Sequence, residues 1–285
     1  MLTVSQAVIL GFLQGLTELF PISSLGHSII LTGLFGWKID RNAADVLGFL
    51  VATHLATALT LFFFYWNDWL LIIKGIFRSL SVREIAPADT YAKLGWLLVV
   101  GTIPVGLAGL IFEKQAKQFF TLPVQAAWFL ILNGAVLFAA EMLRRRAKGS
   151  TETLEGADGR LAKLTWGQSL KIGSLQILAL FPGISRTGAA MTGGILNDLS
   201  HEDALRFSFL LATPVIGAAA LLELPGIFAL GGSAVINAAA GAAAAALTAY
   251  LSVKFLIRYF KTRTLIPFAA YCALAGILVL ALLRR

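Results

Sequence analysis

The sequence predicts an all-α polytopic membrane protein, an inverted-topology repeat with about six full transmembrane helices and two re-entrant helical hairpins. Three observations carry this reading. Of 285 residues, 58% are hydrophobic and only 13% charged, which is far from soluble composition. Apolar runs close to 20 residues recur, the length that crosses a hydrocarbon core of roughly 30 Å, and they lack the ~10-residue alternation of a membrane barrel. A polar-studded segment near the N-terminus also reappears 162 residues later.

The elements follow in order. Residues 5–35 are apolar but are interrupted by "FPISSLGH" and are too short to cross twice, so they are read as a dip that returns to its own side. Crossings are expected at 49–66, 94–112 and 122–140. A polar linker, 144–163, leads to a second dip at 165–196, interrupted by "FPGISRTG", and then to crossings at 203–222, 234–257 and 264–283. The chain is thus one integral membrane domain, 1–285, with repeat 1 at 1–143 and repeat 2 at 164–285. No basic residue precedes the first apolar stretch and no small-residue cleavage pattern follows it, so no removable signal peptide is expected.

The net charge of +8 is explained by topology and does not call for nucleic acid. On the crossings above, one side collects Lys74, Arg78, Arg83, Lys93, Arg144, Arg145, Arg146, Lys148, Arg160, Lys163, Lys254, Arg258, Lys261 and Arg263. The other holds both termini with Lys38, Arg41, Lys114, Lys117, Arg284 and Arg285. The positive-inside rule makes the first side cytoplasmic and places both termini outside. The single cysteine, Cys272, rules out an intramolecular disulfide framework and is expected to face lipid or core.

"GFLQGLTELFPISSLGH" from Gly11 aligns without gaps to "GSLQILALFPGISRTGA" from Gly173, and seven of the seventeen pairs are identical. "FLVATH" at 49 and "FLLATP" at 209 follow at nearly the same offset, and "TIP" at 102–104 answers "LIP" at 265–267. Three crossings per half make the second half enter the membrane inverted. In such folds the functional groups sit on interrupted helices at the repeat interface, where irregular backbone lines a cavity.

The residues of the two interruptions are those of a phosphate chemistry. Gln14 and Glu18 share a helix face. Ser23, Ser24 and His27 offer hydroxyls beside an acid–base imidazole. Ser185, Arg186 and Thr187 stand at a helix start beside Gly183 and Gly188, a combination of hydroxyls, free N–H groups and a guanidinium that suits an anion. Arg186 in an apolar segment needs an anion or a carboxylate, and a structural ion pair with Glu18 is the plain alternative. His54 is expected to face the cavity as a hydrogen-bonding group. The hydroxyls of Thr17, Thr57 and Thr102 are expected only to bond back to the preceding helical turn. His201 is read as an ordinary helix-start residue beside a serine cap. Glu152, Glu155 and Asp158 are read as a solvated linker. No Walker, Rossmann or Cys/His metal pattern occurs.

At these residues the chain resembles the BacA-type undecaprenyl-diphosphate phosphatases, bacterial membrane enzymes that recycle the cell-wall lipid carrier. The motifs are "QGLTE" (Gln14 to Glu18), the Pro21, Ser23, Ser24, Gly26, His27 tip, Gln176 to Arg186, "FSFLLATP" from Phe207 and "IPFAAY" from Ile266. The resemblance implies hydrolysis of a polyprenyl diphosphate to the monophosphate and inorganic phosphate in the bacterial cytoplasmic (inner) membrane, with a link to peptidoglycan synthesis and bacitracin resistance. It implies Ser24 and His27 as nucleophile and acid–base pair, with Ser24 favoured for attack on phosphorus. Arg186 would stabilise phosphoryl charge; Glu18 with Gln14 would hold a divalent cation, Mg²⁺ or Ca²⁺. Ser23, Ser185, Thr187, Gly183, Gly188, Gln176 and His54 would line the substrate site. Three departures stand out: Gln14 where the acid-rich motif has glutamate, Leu25 where the tip has threonine, and Ala190 where a hydroxyl is usual. A lipid-phosphate transporter on the same repeat, or a paralogue with weak or shifted activity, is the competing expectation. The partners implied are the polyprenyl diphosphate and membrane lipids, and a homodimer is compatible with the sequence.

Overall fold

A computed structural model describes residues 2–37, 39–40, 43–119, 122–146, 156–228 and 231–283. Lys38, Arg41, Lys148, Glu152, Glu155, Arg284 and Arg285, and the side chains of Lys114, Lys117 and Arg146, lie outside the described residues. All regular structure among the described residues is helical: α1 (Val4–Leu19), α2 (Ser24–Leu34), α3 (Ala44–Phe64), α4 (Trp66–Val82), α5 (Thr90–Phe119), α6 (Pro123–Arg146), α7 (Ala157–Ala162), α8 (Trp166–Leu175), a 3-10 turn (Gln176–Leu180), α9 (Arg186–Leu196), α10 (His201–Phe228), α11 (Ser233–Tyr259) and α12 (Ile266–Leu283).

Six of these helices are long and apolar enough to cross a membrane: Ala44–Phe64, Thr90–Phe112, Pro123–Arg145, His201–Leu221, Ser233–Phe260 and Ile266–Leu283. Each coincides with an expected crossing. The bundle exposes large apolar side chains such as Leu110, Leu247 and Leu274, as a surface bathed in lipid requires. Helix α10 lies at the centre, with 61% of its apolar window buried, against 28% in the peripheral α12.

Two helices were not expected. Helix α4 follows α3 after a break at Tyr65 and buries Ile72, Gly75 and Ser79, leaving Phe77 and Val82 exposed. Lys74 and Arg78 interrupt its apolar run, which hid it from a reading by run length. Helix α7 corrects the reading of Asp158 as solvated linker. The Asp158 carboxylate accepts from Arg206 at 2.8 Å and from the Tyr91 hydroxyl at 3.3 Å, while Arg160 forks onto Asp203 with two bonds of 2.7 Å. Arg206 lies within α10 and needs a carboxylate, and the linker brings one back to it.

The two interrupted segments are built alike at the 162-residue offset. Thr3 caps α1 and Thr165 caps α8, each in a reciprocal box with the glutamine three residues on, Gln6 and Gln168. Ser23 caps α2 and Ser185 caps α9, their hydroxyls accepting from Gly26 and Gly188. Each segment is wedged against a long helix through a pair of glycines. Any side chain on Gly11 would run into the Gly241 backbone of α11, and any on Gly173 into the Gly101 backbone of α5.

The bland expectations for threonine hold. Thr17, Thr57 and Thr102 donate to the carbonyls of Leu13, Thr53 and Leu98 at 2.7, 3.0 and 2.8 Å. Cys272 is fully buried and faces the core.

Candidate active site

The two interruptions meet. Ser23 Oγ accepts from the Gly183 N–H at 3.1 Å; in return Ser185 Oγ donates to the Phe20 carbonyl at 3.2 Å and Thr187 Oγ1 to the Glu18 carbonyl at 3.1 Å. Each break therefore satisfies backbone groups that the other leaves open, as buried irregular backbone must. Gly183 has φ 119° and sits where any side chain would press on Ala126 O and Phe129, so only glycine fits. Ser23 takes φ 70° and ψ 107°, a strained conformation for a residue with a Cβ.

Asn133 of α6, which sequence reasoning missed, holds both breaks at once. Its Nδ2 donates to the Pro21 carbonyl at 2.9 Å and its Oδ1 accepts from the Ser185 N–H at 3.0 Å. The side chain is 1% exposed and also lies 3.3 Å from Cys272 Sγ. A lone asparagine within an apolar crossing was the available signal.

Around Glu18 the predicted residues converge. Gln14 Nε2 donates to Glu18 Oε2 at 3.0 Å, and the Ser24 hydroxyl donates to the same oxygen. His54 Nε2 lies 3.7 Å from Oε2, and an Arg186 Nη2 lies 3.8 Å from Oε1. Glu18 and Ser24 are both buried, so the carboxylate and guanidinium are matched where neither could stand alone. One guanidinium nitrogen, Arg186 Nη1, is buried without a hydrogen-bond partner among the described residues. A small cavity reaches this cluster at Gln14 and Thr53 and continues between apolar walls of Leu10, Val46, Phe49 and Leu50.

His27 sits elsewhere than expected. Instead of meeting Ser24, its Nδ1 lies 2.6 Å from the Ser23 carbonyl and its Nε2 lies 2.9 Å from the Tyr271 hydroxyl. Gln176, the counterpart of Gln14, is buried with neither amide atom partnered among the described residues. Its neighbour one turn on is Leu180, so it has no carboxylate to serve. His201 begins α10 beside the Ser200 cap, which accepts from the Asp203 N–H, but it is also buried against Glu141 at 2.7 Å and Arg144. This second ion cluster draws on α6 and lies outside the Glu18 cluster.

Residues 7–278 match the family model for bacitracin resistance protein BacA. Among relatives, an "Undecaprenyl-diphosphatase" from Mycolicibacterium paratuberculosis is 46% identical, over 96% of this chain and 95% of its own. An "Undecaprenyl-diphosphatase 2" from Frankia alni is 40% identical over 97% of both chains, and an "Undecaprenyl-diphosphatase" from Acidiphilium cryptum is 42% identical over 97% of both. With a matching family model over nearly its whole length, six spans and the polar residues gathered at two helix breaks, this chain is a multi-pass membrane protein that belongs to the BacA family.

Proposed function

We infer that the protein is an undecaprenyl-diphosphatase, which hydrolyses the lipid diphosphate to the monophosphate and inorganic phosphate. The observation that carries this is the Ser24 hydroxyl on the Glu18 carboxylate, with Arg186 against the other carboxylate oxygen and one of its N–H groups unspent. The family match and the relatives' names favour hydrolysis over a lipid-phosphate carrier.

The geometry supports one sequence of events. Ser24 Oγ attacks the terminal phosphorus as its proton passes to Glu18, an Oγ–P bond forms, and the bond to the bridging oxygen of the prenyl monophosphate breaks. Water then hydrolyses the phosphoserine, which restores Ser24 and releases phosphate. Arg186 Nη1 and the first N–H groups of α9 face the charge on the phosphoryl oxygens. Glu18 returns the serine's proton to the leaving oxygen, and His27, one helical turn along α2 from Ser24, serves at Nε2 as the acid–base group for the incoming water. Ser23, Ser185, Thr187, Gly183 and Gly188 set the backbone around the phosphate, and Gln176 and His54 complete the polar lining. The prenyl tail would leave along the apolar walls beyond Gln14.

A divalent cation would be held here by Gln14 and Glu18 together with the substrate's own oxygens. Gln14 spends its amide nitrogen on Glu18, so its carbonyl oxygen and a Glu18 oxygen would be the protein's donors beside those of the substrate. When bound, the cation supplies neutralising charge to the diphosphate.

The inverted-repeat reading is supported by paired contacts. Besides Gly11 on Gly241 and Gly173 on Gly101, Gly134 of α6 packs on the Ala269 carbonyl of α12, and Gly276 of α12 packs on the Ala127 carbonyl of α6. These pairs interchange if α1, α5 and α6 exchange with α8, α11 and α12. In that register the likeness of "TIP" and "LIP" has no counterpart, because α5 answers α11. The basic residues favour an orientation with both termini outside, and membership of the BacA family favours the bacterial inner membrane.

Phosphate release from undecaprenyl diphosphate by purified protein tests the reading. Ser24→Ala and Arg186→Ala should each abolish release, and a Ser24→Ala protein as fast as the unaltered chain would overturn it.

A further inference from the structure

We propose that Tyr271 is a positioning residue that fixes the direction of the His27 ring, whose tautomer the Ser23 carbonyl sets. The proposal rests on the reading of His27 as the acid–base group. Ser23 O is a carbonyl and can only accept, so His27 Nδ1, 2.6 Å away, must carry the proton. In the neutral ring the lone pair is then on Nε2, and the Tyr271 phenol, 2.9 Å from it, donates its O–H. When Nε2 gains a proton the same phenol oxygen can accept, so one hydroxyl serves both states of the imidazole. The two rings are also stacked, 5.7 Å apart and 8° from parallel, so turning the imidazole would break both hydrogen bonds and the stack together.

Two further observations indicate that this arrangement is built rather than incidental. The carbonyl that receives Nδ1 belongs to Ser23, the N-cap of α2, so the imidazole is tied directly to the first break. Tyr271 is 44% exposed on a peripheral helix, so core packing does not account for its placement. Its chain neighbour Cys272 contacts Asn133, the residue that clamps both breaks. The phenol is therefore fixed relative to the site through the α6–α12 pair.

Tyr271→Phe keeps the ring and removes the donor. In purified full-length protein we expect kcat to fall roughly tenfold to hundredfold, the usual cost of losing an orienting partner, with KM changed less than about twofold. In a His27→Gln background, Tyr271→Phe should cause no further loss, because its effect runs through the imidazole. The chain has only 3 histidines, so ¹⁵N spectra can report His27 directly. We expect the Nδ1-protonated form in both proteins, with the Nε2 resonance shifted in Tyr271→Phe because the phenol's hydrogen bond is lost. Unchanged kcat and an unchanged Nε2 resonance in Tyr271→Phe, with His27→Gln impaired, would overturn the role of Tyr271 alone. The same result follows if Tyr271→Phe is equally harmful with and without His27. Full activity of His27→Gln would overturn the acid–base reading of His27, and this proposal with it.

Discussion

The break between α1 and α2 and the break before α9 follow one plan yet carry opposite chemistry. Both end in a serine that caps an 11-residue helix and receives the N–H three residues on. In the second, the positive φ falls on Gly183, where it costs little; in the first it falls on Ser23, where strain of about 1–3 kcal/mol is expected. A serine serves there because its hydroxyl accepts both from Gly183 across the site and from Gly26 as the helix cap. The first break also keeps the acid, the hydroxyl and the imidazole, whereas the second keeps only the cation. Neither is a site alone: Glu18 needs Arg186 for charge, and Arg186 needs Glu18 or phosphate. The two segments are built alike, and their differences at Glu18/Leu180, Ser24/Arg186 and His27/Ala189 make one asymmetric centre of the two.

The comparison breaks most completely at the cation. Arg186→Ala should lower phosphate release by roughly 10³-fold, as for other arginines that stabilise a transferring phosphoryl group. Arg186→Lys should recover only part of this, because a lysine presents one point charge in place of a fork. Rates measured on both variants at saturating substrate check the order.

The next effect concerns the bond between the breaks. Asn133→Leu leaves the Pro21 carbonyl and the Ser185 N–H without their partner, each buried. A loss of about 1–3 kcal/mol per group is expected, read as a fall of several degrees in the thermal midpoint of the detergent-solubilised protein. Activity should fall with it, since the two breaks lose their common clamp. A midpoint within one degree of the unaltered chain would show that water or a neighbour replaces the amide.

Much of this was legible in the sequence because hydrocarbon restricts what a chain can do. Six runs near 20 residues could only be helices, and polar residues at two interruptions had to face something polar. Glu18 and Arg186, far apart in sequence, could be matched through the repeat because each needed an opposite charge. What stayed illegible depends on packing across the repeat. Asn133 is one amide in an apolar crossing, and nothing local says that its two ends reach two different breaks. Tyr271 closes the "IPFAAY" motif, yet nothing local says that it meets His27. The resemblance implied Ser24 and His27 as a nucleophile and acid–base pair, yet in the fold the hydroxyl turns to Glu18 and the ring to Tyr271. Helix α4 was hidden by its lysine and arginine, and α7 by the polar composition of the linker around it.

Gln14 sharpens the comparison at the level of about tenfold. Its amide donates to Glu18 at 3.0 Å, so Gln14→Glu places two carboxylates in contact, and these repel unless a proton or a cation lies between them. With a chelator present, Gln14→Glu should be about tenfold slower than the unaltered protein, and added Mg²⁺ should restore it at lower concentration than the unaltered chain requires. Identical chelator and Mg²⁺ responses for the two proteins would remove Gln14 from any cation site.

The smallest effect is expected where the two breaks differ without consequence. Leu25 aligns with Thr187, and the Thr187 hydroxyl is spent inward on the Glu18 carbonyl, with the residue 3% exposed. Leu25 is 36% exposed at the matching place on α2 and points away from the buried cluster. A threonine there would set its hydroxyl against its own helix turn, so Leu25→Thr should alter phosphate release less than twofold and stability by no more than about 0.5 kcal/mol. A tenfold gain would instead mean that position 25 touches the lipid diphosphate, and that the first break lost a contact which the second retained.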